Sequence, residues 1–287
     1  MTDTAAQSGE PDAAVERRHR LQGPVAQCVD LHMHSDYSDA PKLTLDIIEQ
    51  RALELGIGVS VTDHNEARGS LKLCERGKIL CLPGIEVGSR EKLEVLCYFK
   101  TPAELEEFYR KHVEPYKRSR YYTKLDRSFT QIIPAAKEHG ALVSLPHPFG
   151  PSYKNVNFSK KRKAALFDPD VFGKIDMIEV INGHMPDNRN FKAYMLSEIF
   201  EKRVSAGSDA HVPEDIGRIY LRFDREEDVA GVFELLQQPI KLGMTDNFSA
   251  MNFAKTSRRV IPMHLRLFFS KKHQRQWMMK LDDGDEA

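Results

Sequence analysis

From residue 28 onward the chain alternates short apolar runs with stretches of helical periodicity. The first run, residues 28–33, carries His32 and His34. Residues 44–55 place apolar side chains at Leu45, Ile48, Ala52 and Leu55, a spacing that predicts a helix, with Gly56 as its stop. A second run, 57–61, ends at Asp63 and His64. A third, 79–87, contains Glu86, and 93–99 reads as a further strand. Residues 102–112 and 130–139 read as helices, the second closing at Gly140 although Pro134 weakens its start. The run 141–145 leads to His147, and 175–181 leads to Asn182 and His184. A helix is predicted over 188–202, and 204–207 leads to Asp209 and His211. A late strand (218–223) and a late helix (226–236) complete the pattern.

Strands alternating with helices of these lengths predict an α/β protein with a mainly parallel sheet. In such folds chemistry gathers at the C-terminal ends of the strands. Every candidate ligand named here falls at or just after the end of an apolar run, whereas chance would scatter polar residues along the runs. The pattern implies one domain over 28–244. Residues 1–27 are expected to be a disordered polar tail without the apolar stretch of a secretory signal, and 245–287 a C-terminal basic extension.

Composition narrows the class without deciding it. The 287 residues carry 42 Lys or Arg and 42 Asp or Glu, so net charge argues neither for nor against nucleic acid. The four cysteines (Cys28, Cys74, Cys81 and Cys97) form no CxxC pair, which disfavours a structural zinc knot and predicts reduced, mostly buried thiols. No apolar run reaches the ~18–20 residues of a membrane helix. The expectation is a soluble cytoplasmic protein.

The chemistry lies in five short motifs. In DLHMHSDYSDA, His32 and His34 sit two apart on a strand, so both imidazoles point to one face, and Asp39 can reach back from the following loop. VTDHNEARG sets His64 directly after a buried strand. LPGIEVG puts Glu86 on the third strand, where it is the natural carboxylate to bridge two ions. SLPHPFG holds His147 between two prolines, which stiffen the backbone. SAGSDAH gives Asp209 and His211, with Ala206, Gly207 and Ser208 leaving room beside them. Each motif has an ordinary alternative alone: an edge-strand histidine pair, a rigid loop histidine, a helix cap. Together, five histidines and three carboxylates with no thiolate suit two or three Mn, Fe or Zn ions, with positions left for water and substrate.

These motifs resemble the PHP family, named for polymerase and histidinol phosphatase. DLHMHSDYSD, VTDH, PHPFG and SDAH occur in the family's order, and the resemblance covers about 29–218. It implies a distorted seven-stranded (β/α)7 barrel and a metal-dependent phosphoesterase activity. It also implies that His32, His34, Glu86 and Asp209 hold a first ion. Glu86 would bridge to a second beside His147, and Asp39, His64 and His211 would hold a third. Two positions depart from the pattern. The histidine of an HLLGY-like strand is replaced by Glu94 in EVLCYF, where it would serve as an oxygen ligand. The glycine after the first-motif Asp is Ala40.

The expected reaction is in-line attack of metal-activated water on phosphorus, with Glu86 and Asp209 as catalytic ligands and Asp209 accepting the proton. His184 is a candidate for substrate contact or for protonating the leaving oxygen. Arg218 is a candidate phosphate grip, and Asp63 and Asn65 are candidates for orienting His64. The expected substrate is a phosphorylated small molecule. Basic stretches at 110–127, 160–163 and 255–280, the last carrying Phe268, Phe269 and Trp277, keep a nuclease as the second reading. Amidohydrolase-type C–N hydrolysis is a third, disfavoured by the lack of a strand lysine beside the ligands. A non-catalytic scaffold is a fourth.

Overall fold

The computed structural model describes residues 22–118, 123–150 and 159–238. In the first of two sheets, β1 (Ala26–Met33) lies between β2 (Gly58–Val61), which is parallel to it, and β8 (Leu221–Glu227), which is antiparallel. The second sheet runs in the order β3 (Gly84–Gly88), β4 (Glu94–Tyr98), β5 (Leu142–Leu145), β6 (Met177–Asn182) and β7 (Arg203–Gly207). Its β3–β4 and β4–β5 pairs are antiparallel, and β5–β6 and β6–β7 are parallel.

Single backbone bonds stitch the sheets together at two seams. Asp209 N donates to His32 O at 2.7 Å and His34 N to Ala210 O at 3.0 Å, so the residues after β7 lie beside the end of β1. Asn65 N donates to Glu86 O at 2.8 Å and Val59 N to Leu80 O at 2.9 Å, which sets β3 beside the end of β2. The α/β class expected from the pattern is present. The mainly parallel sheet and the closed seven-stranded barrel are not, among the described residues. There are eight strands in two mixed sheets, because β4 follows β3 through a short turn with no room for a crossover helix, and β8 returns antiparallel to β1.

The helices follow their local signals. In α1 (Leu45–Leu55) the Thr44 hydroxyl accepts from Ile47 N, and Gly56 at φ 65° closes the helix. Arg68–Arg76 forms α2, which the apolar pattern did not announce because the segment is largely polar. Pro102–Phe108 (α3) starts with a Thr101–Glu104 capping box but loosens into a π turn over Tyr109–Val113 instead of continuing as α-helix. Phe129–Glu138 is α4. The basic stretch at 160 opens α5 (Lys160–Leu166), followed by the single turn α6 (Pro169–Phe172). Asp187–Ile199 is α7 and Val229–Leu235 is α8.

The strands explain where the site sits. On β1 the side chains of Val29, Leu31 and Met33 enter apolar cores, while Asp30 and His32 alternate onto the other face, and all five are fully buried. The same alternation turns Glu86 of β3, Ser144 of β5 and Glu179 of β6 away from the apolar cluster that holds Ile85, Val143 and Ile178, each without solvent exposure. A buried face made of acids, imidazoles and hydroxyls is stable only if every group finds a partner or a cation. The apolar faces pack outward under the helices, for example Phe99, Phe108 and Phe129 under α3 and α4.

One boundary moves. β1 begins at Ala26, and Gln22 N donates to the Asp228 carboxylate at 2.8 Å, so residues 22–27 belong to the fold and not to a tail. Residues 1–21 and the extension 245–287 lie outside the described residues. All four cysteines are free thiols, with Cys81 and Cys97 buried. No helix of the described residues is long and apolar enough to cross a membrane.

Candidate metal centre

The five motifs converge. His34 Nε2 lies 3.0 Å from Asp209 Oδ1 and 3.6 Å from Glu86 Oε2. His32 Nε2 lies 3.5 Å from Asp209 Oδ1 and 3.8 Å from Glu86 Oε2. His64 presents Nδ1 to Glu86 at 2.8 Å and Nε2 to Asp39 at 3.6 Å. His147 Nε2 meets Glu86 Oε1 at 3.1 Å, and His211 Nε2 meets Asp39 Oδ2 at 3.3 Å. Glu94 points into the same space, 3.8 Å from His64 and 3.7 Å from His147. All nine expected ligands are therefore in one neighbourhood, on the ends of β1, β2, β3, β5 and β7, the adjoining loops and the start of β4.

Their donor atoms fall into overlapping sets, each within 4.8 Å: His34, Asp39, His64 and His211; His32, His34 and Glu86; His32, His147 and Asp209; His64, Glu86 and Glu94. The buried His32 Nε2 and His34 Nδ1 make no hydrogen bond, although carboxylate oxygens stand nearby. Lone pairs left unused inside a polar cluster, with only nitrogen and oxygen donors, fit divalent cations.

Local backbone and packing fix this arrangement. Asn65, His147 and Asp209 adopt left-handed φ values of 53°, 28° and 54°. For non-glycine residues that conformation costs on the order of 1–3 kcal/mol, and it concentrates where structure serves a site. Gly207 is required by contact: a Cβ there would lie 2.4 Å from His32 Cβ.

The electrostatics divide the histidines. Burial, and then the neighbouring His211 ring, push the His34 pKa down to about 3, which keeps it a neutral ligand. Burial also opposes charge on His32 and His64, but Asp209 and Glu179 outweigh it for His32, and Glu86 and Asp39 push His64 up to about 9. Conversely, Asp39, Glu86 and Asp209 are held well below the usual carboxylate range by the imidazoles around them, against the effect of burial. Without a cation, protons on the histidines take its electrostatic place.

A family model described as PHP-associated matches residues 187–238. Over 202 residues the chain is 26% identical to an uncharacterized protein of Methanocaldococcus jannaschii, covering 68% of this chain and 70% of that protein. Among solved structures, the lesion-specific endonuclease Q of Pyrococcus furiosus aligns with TM-score 0.55 at 24% identity, covering 69% of this chain and 52% of that one. A two-domain protein of Bacteroides vulgatus containing a predicted PHP-like metal-dependent phosphoesterase aligns with TM-score 0.52 at 20% identity, covering 76% of this chain and 65% of that one. The fold of this chain resembles that of PHP-like proteins. The chain spans about half the length of the endonuclease.

Within this centre the remaining expected residues take distinct places. His184 stacks on His211 with centroids 5.4 Å apart. Its Nδ1 lies 3.9 Å from Asp209 and its Nε2 lies 3.7 Å from Asp215, with its side chain 18% exposed at the edge of the cluster. Arg218 Nη1 donates to Asp215 Oδ1 at 2.8 Å, one residue further out. The Asp63 carboxylate does not orient His64. It accepts from Ser35 N and from the Ser35 and Ser38 hydroxyls, and so holds the loop that carries Asp39. The Asn65 side chain accepts from Gly88 N at 2.9 Å.

Two buried acids were not anticipated from the sequence. Glu179 of β6 accepts from His32 Nδ1 at 2.8 Å, His147 N at 2.8 Å and Asn182 Nδ2 at 2.9 Å, so one carboxylate ties two ligands together. Asp30 accepts from Ser208 N at 2.9 Å and Gly217 N at 3.0 Å and anchors the segment before Asp209. The available signal was an acid inside each of two runs that otherwise read as buried strand, MIEVIN and CVDLHM.

Proposed function

We propose that this PHP-like chain is a metal-dependent phosphoesterase that hydrolyses a phosphate monoester, either a nucleotide or a small phosphorylated metabolite. The observation that carries the reading is the convergence of nine nitrogen- and oxygen-bearing side chains on one buried space, with lone pairs of His32 and His34 unused. Two or three divalent ions, Mn, Fe or Zn, would be held there. His32, His34, Glu86 and Asp209 would hold one. Glu86, Glu94 and His147 would hold a second, and Asp39, His64 and His211 a third. Such ions supply Lewis-acid activation of water and neutralise phosphoryl oxygens.

The residues at the edge then take their roles. Asp209 accepts the proton of the attacking water. His184, the most exposed imidazole beside the cluster, delivers a proton to the leaving oxygen. Arg218, with one nitrogen tied to Asp215, presents its other N–H groups to the phosphoryl group. Depth favours a terminal phosphate over a chain. His32, His34, Asp39, His64 and Glu86 are without solvent exposure, and the accessible atoms belong to Glu94, His147, His184, Asp209 and His211.

The likeness to a lesion-specific endonuclease favours a second reading, cleavage of a nucleic acid. Salt separates the two. Turnover of a polyanion falls steeply with added salt because bound counterions are released, whereas that of a small monoester changes little. The primary test is metal analysis and phosphate release on wild type and Glu86→Gln. We expect the variant to lose both metal and turnover, and wild-type turnover in Glu86→Gln would overturn the proposal.

A further inference from the structure

Helix α7 carries an apolar stripe that no described residue covers. Phe191 is 62% exposed and Ile199 68%, with Tyr194, Met195 and Phe200 also exposed between and beside them. Their spacing of three, four and one places them along one side of the helix, while Ala193 and Ser197 of the opposite side are buried against the sheets. At its C-terminal end the stripe continues into an aromatic group, Phe200 against Phe167 and Phe172 at 5.7 and 4.8 Å between ring centroids. A patch of this kind marks a binding surface when it is contiguous.

The acids beside the stripe lack cationic partners. Asp187, Glu198 and Glu201 are exposed and make no ion pair among the described residues. Of the nearby cations, Arg189 bonds the Phe149 and Gly150 carbonyls and Lys202 those of Phe172 and Ile175, which leaves the exposed Lys192 alone against three acids. The surface therefore calls for an apolar and basic occupant.

The same chain supplies one. Residues 255–280 contain eight Lys or Arg and no acid, together with Leu265, Leu267, Phe268, Phe269 and Trp277. The point of departure is favourable as well. Arg203 Nη1 donates to Leu236 O at 2.8 Å, which pins the end of α8 four residues past the end of α7. From there, a chain of the length of residues 239–254 is long enough, at up to ~3.3 Å per residue, to reach past the ~20 Å length of α7. We infer that residues 255–281 of this chain dock on the α7 stripe, with their basic side chains meeting Asp187, Glu198 and Glu201.

Trp277 is the only tryptophan in the chain, so its fluorescence reads this segment directly in the full-length protein. We expect its emission to be blue-shifted and shielded from acrylamide, independently of protein concentration. In Phe191→Asp/Ile199→Asp the emission should move to the red and the quenching constant rise several-fold. Leu53→Asp, at an exposed apolar site on α1, should change neither. An exposed Trp277 in the wild type, or a response no larger than that of Leu53→Asp, would overturn the inference. A concentration-dependent shift would do the same, by assigning the stripe to a second copy. Should the double variant fail to fold, a photo-crosslinking amino acid at position 194 gives the same decision. A crosslink to 255–281 of the same chain supports docking, and one to any other peptide or to a second copy refutes it.

Discussion

Replacing Glu179 by Gln probes the centre without touching a proposed ligand. The Glu179 carboxylate accepts three bonds: Oε1 takes His32 Nδ1, and Oε2 takes His147 N and the Asn182 amide. Glutamine keeps only one acceptor oxygen. If its amide nitrogen faced His147 N and Asn182 Nδ2, two donor pairs would oppose each other within a fully buried site. The cheaper arrangement keeps the oxygen there and turns the nitrogen to His32. Nδ1 of His32 must then accept, which moves the ring proton to Nε2, the atom that faces Glu86 and Asp209. The expected result is a folded protein whose His32 holds the wrong tautomer for binding a cation. Loss of an outer partner of this kind weakens metal affinity about 10–100-fold, which corresponds to roughly 1.4–2.7 kcal/mol at 1.36 kcal/mol per decade. Competition titration against a chelator measures the affinity, and nitrogen chemical shifts of His32 report the tautomer. An affinity within about twofold of wild type, or an unchanged His32 tautomer, would refute the reasoning.

Other outcomes can be checked alongside it. Gly207→Ala should lower stability by about 1–3 kcal/mol, read by denaturant midpoint, because its Cβ would press on the His32 backbone. Asp63 is pushed up to about 7 by burial, against its Ser35 and Ser38 bonds. Its folded state therefore binds a proton more tightly than the unfolded state. The stability it favours is complete below about pH 4 and declines as pH rises toward 7, and Asp63→Asn should flatten that decline in a metal-free titration. Cation binding must displace protons from histidines such as His64, held near 9. Calorimetry in buffers of different ionisation enthalpy should then show proton release, and apparent affinity should fall as pH is lowered.

The centre was legible because its ligands break the period of their own strands. His32, His64, Glu86, His147 and Asp209 are polar groups where runs of Val, Ile and Leu predict apolar ones, and a strand end leaves them nowhere to point but inward. Glu179 and Asp30 broke the same rule but stood within a run and not at its end, so they read as incidental. The sheet order was less legible. An apolar run does not announce its direction, and the short turn between β3 and β4, which makes that pair antiparallel, looks like any loop. The run 79–87 reads as one strand, yet Pro83 removes a ladder donor and β3 forms only from Gly84. Helix α2 went unseen because its pattern is polar, although Gly77 marks its end.

The seam between the end of β1 and residues 209–210 has a consequence for biosynthesis. His32 and His34 are translated early, but the backbone groups that seat them, Asp209 N and Ala210 O, come more than 170 residues later. Until the ribosome has released that far stretch, the nascent chain carries an incomplete set of ligands and no wall to hold them. Loading of a metal on the full ligand set would thereby wait until residue 209 has been made, and a chain stalled before it would lack Asp209 and His211.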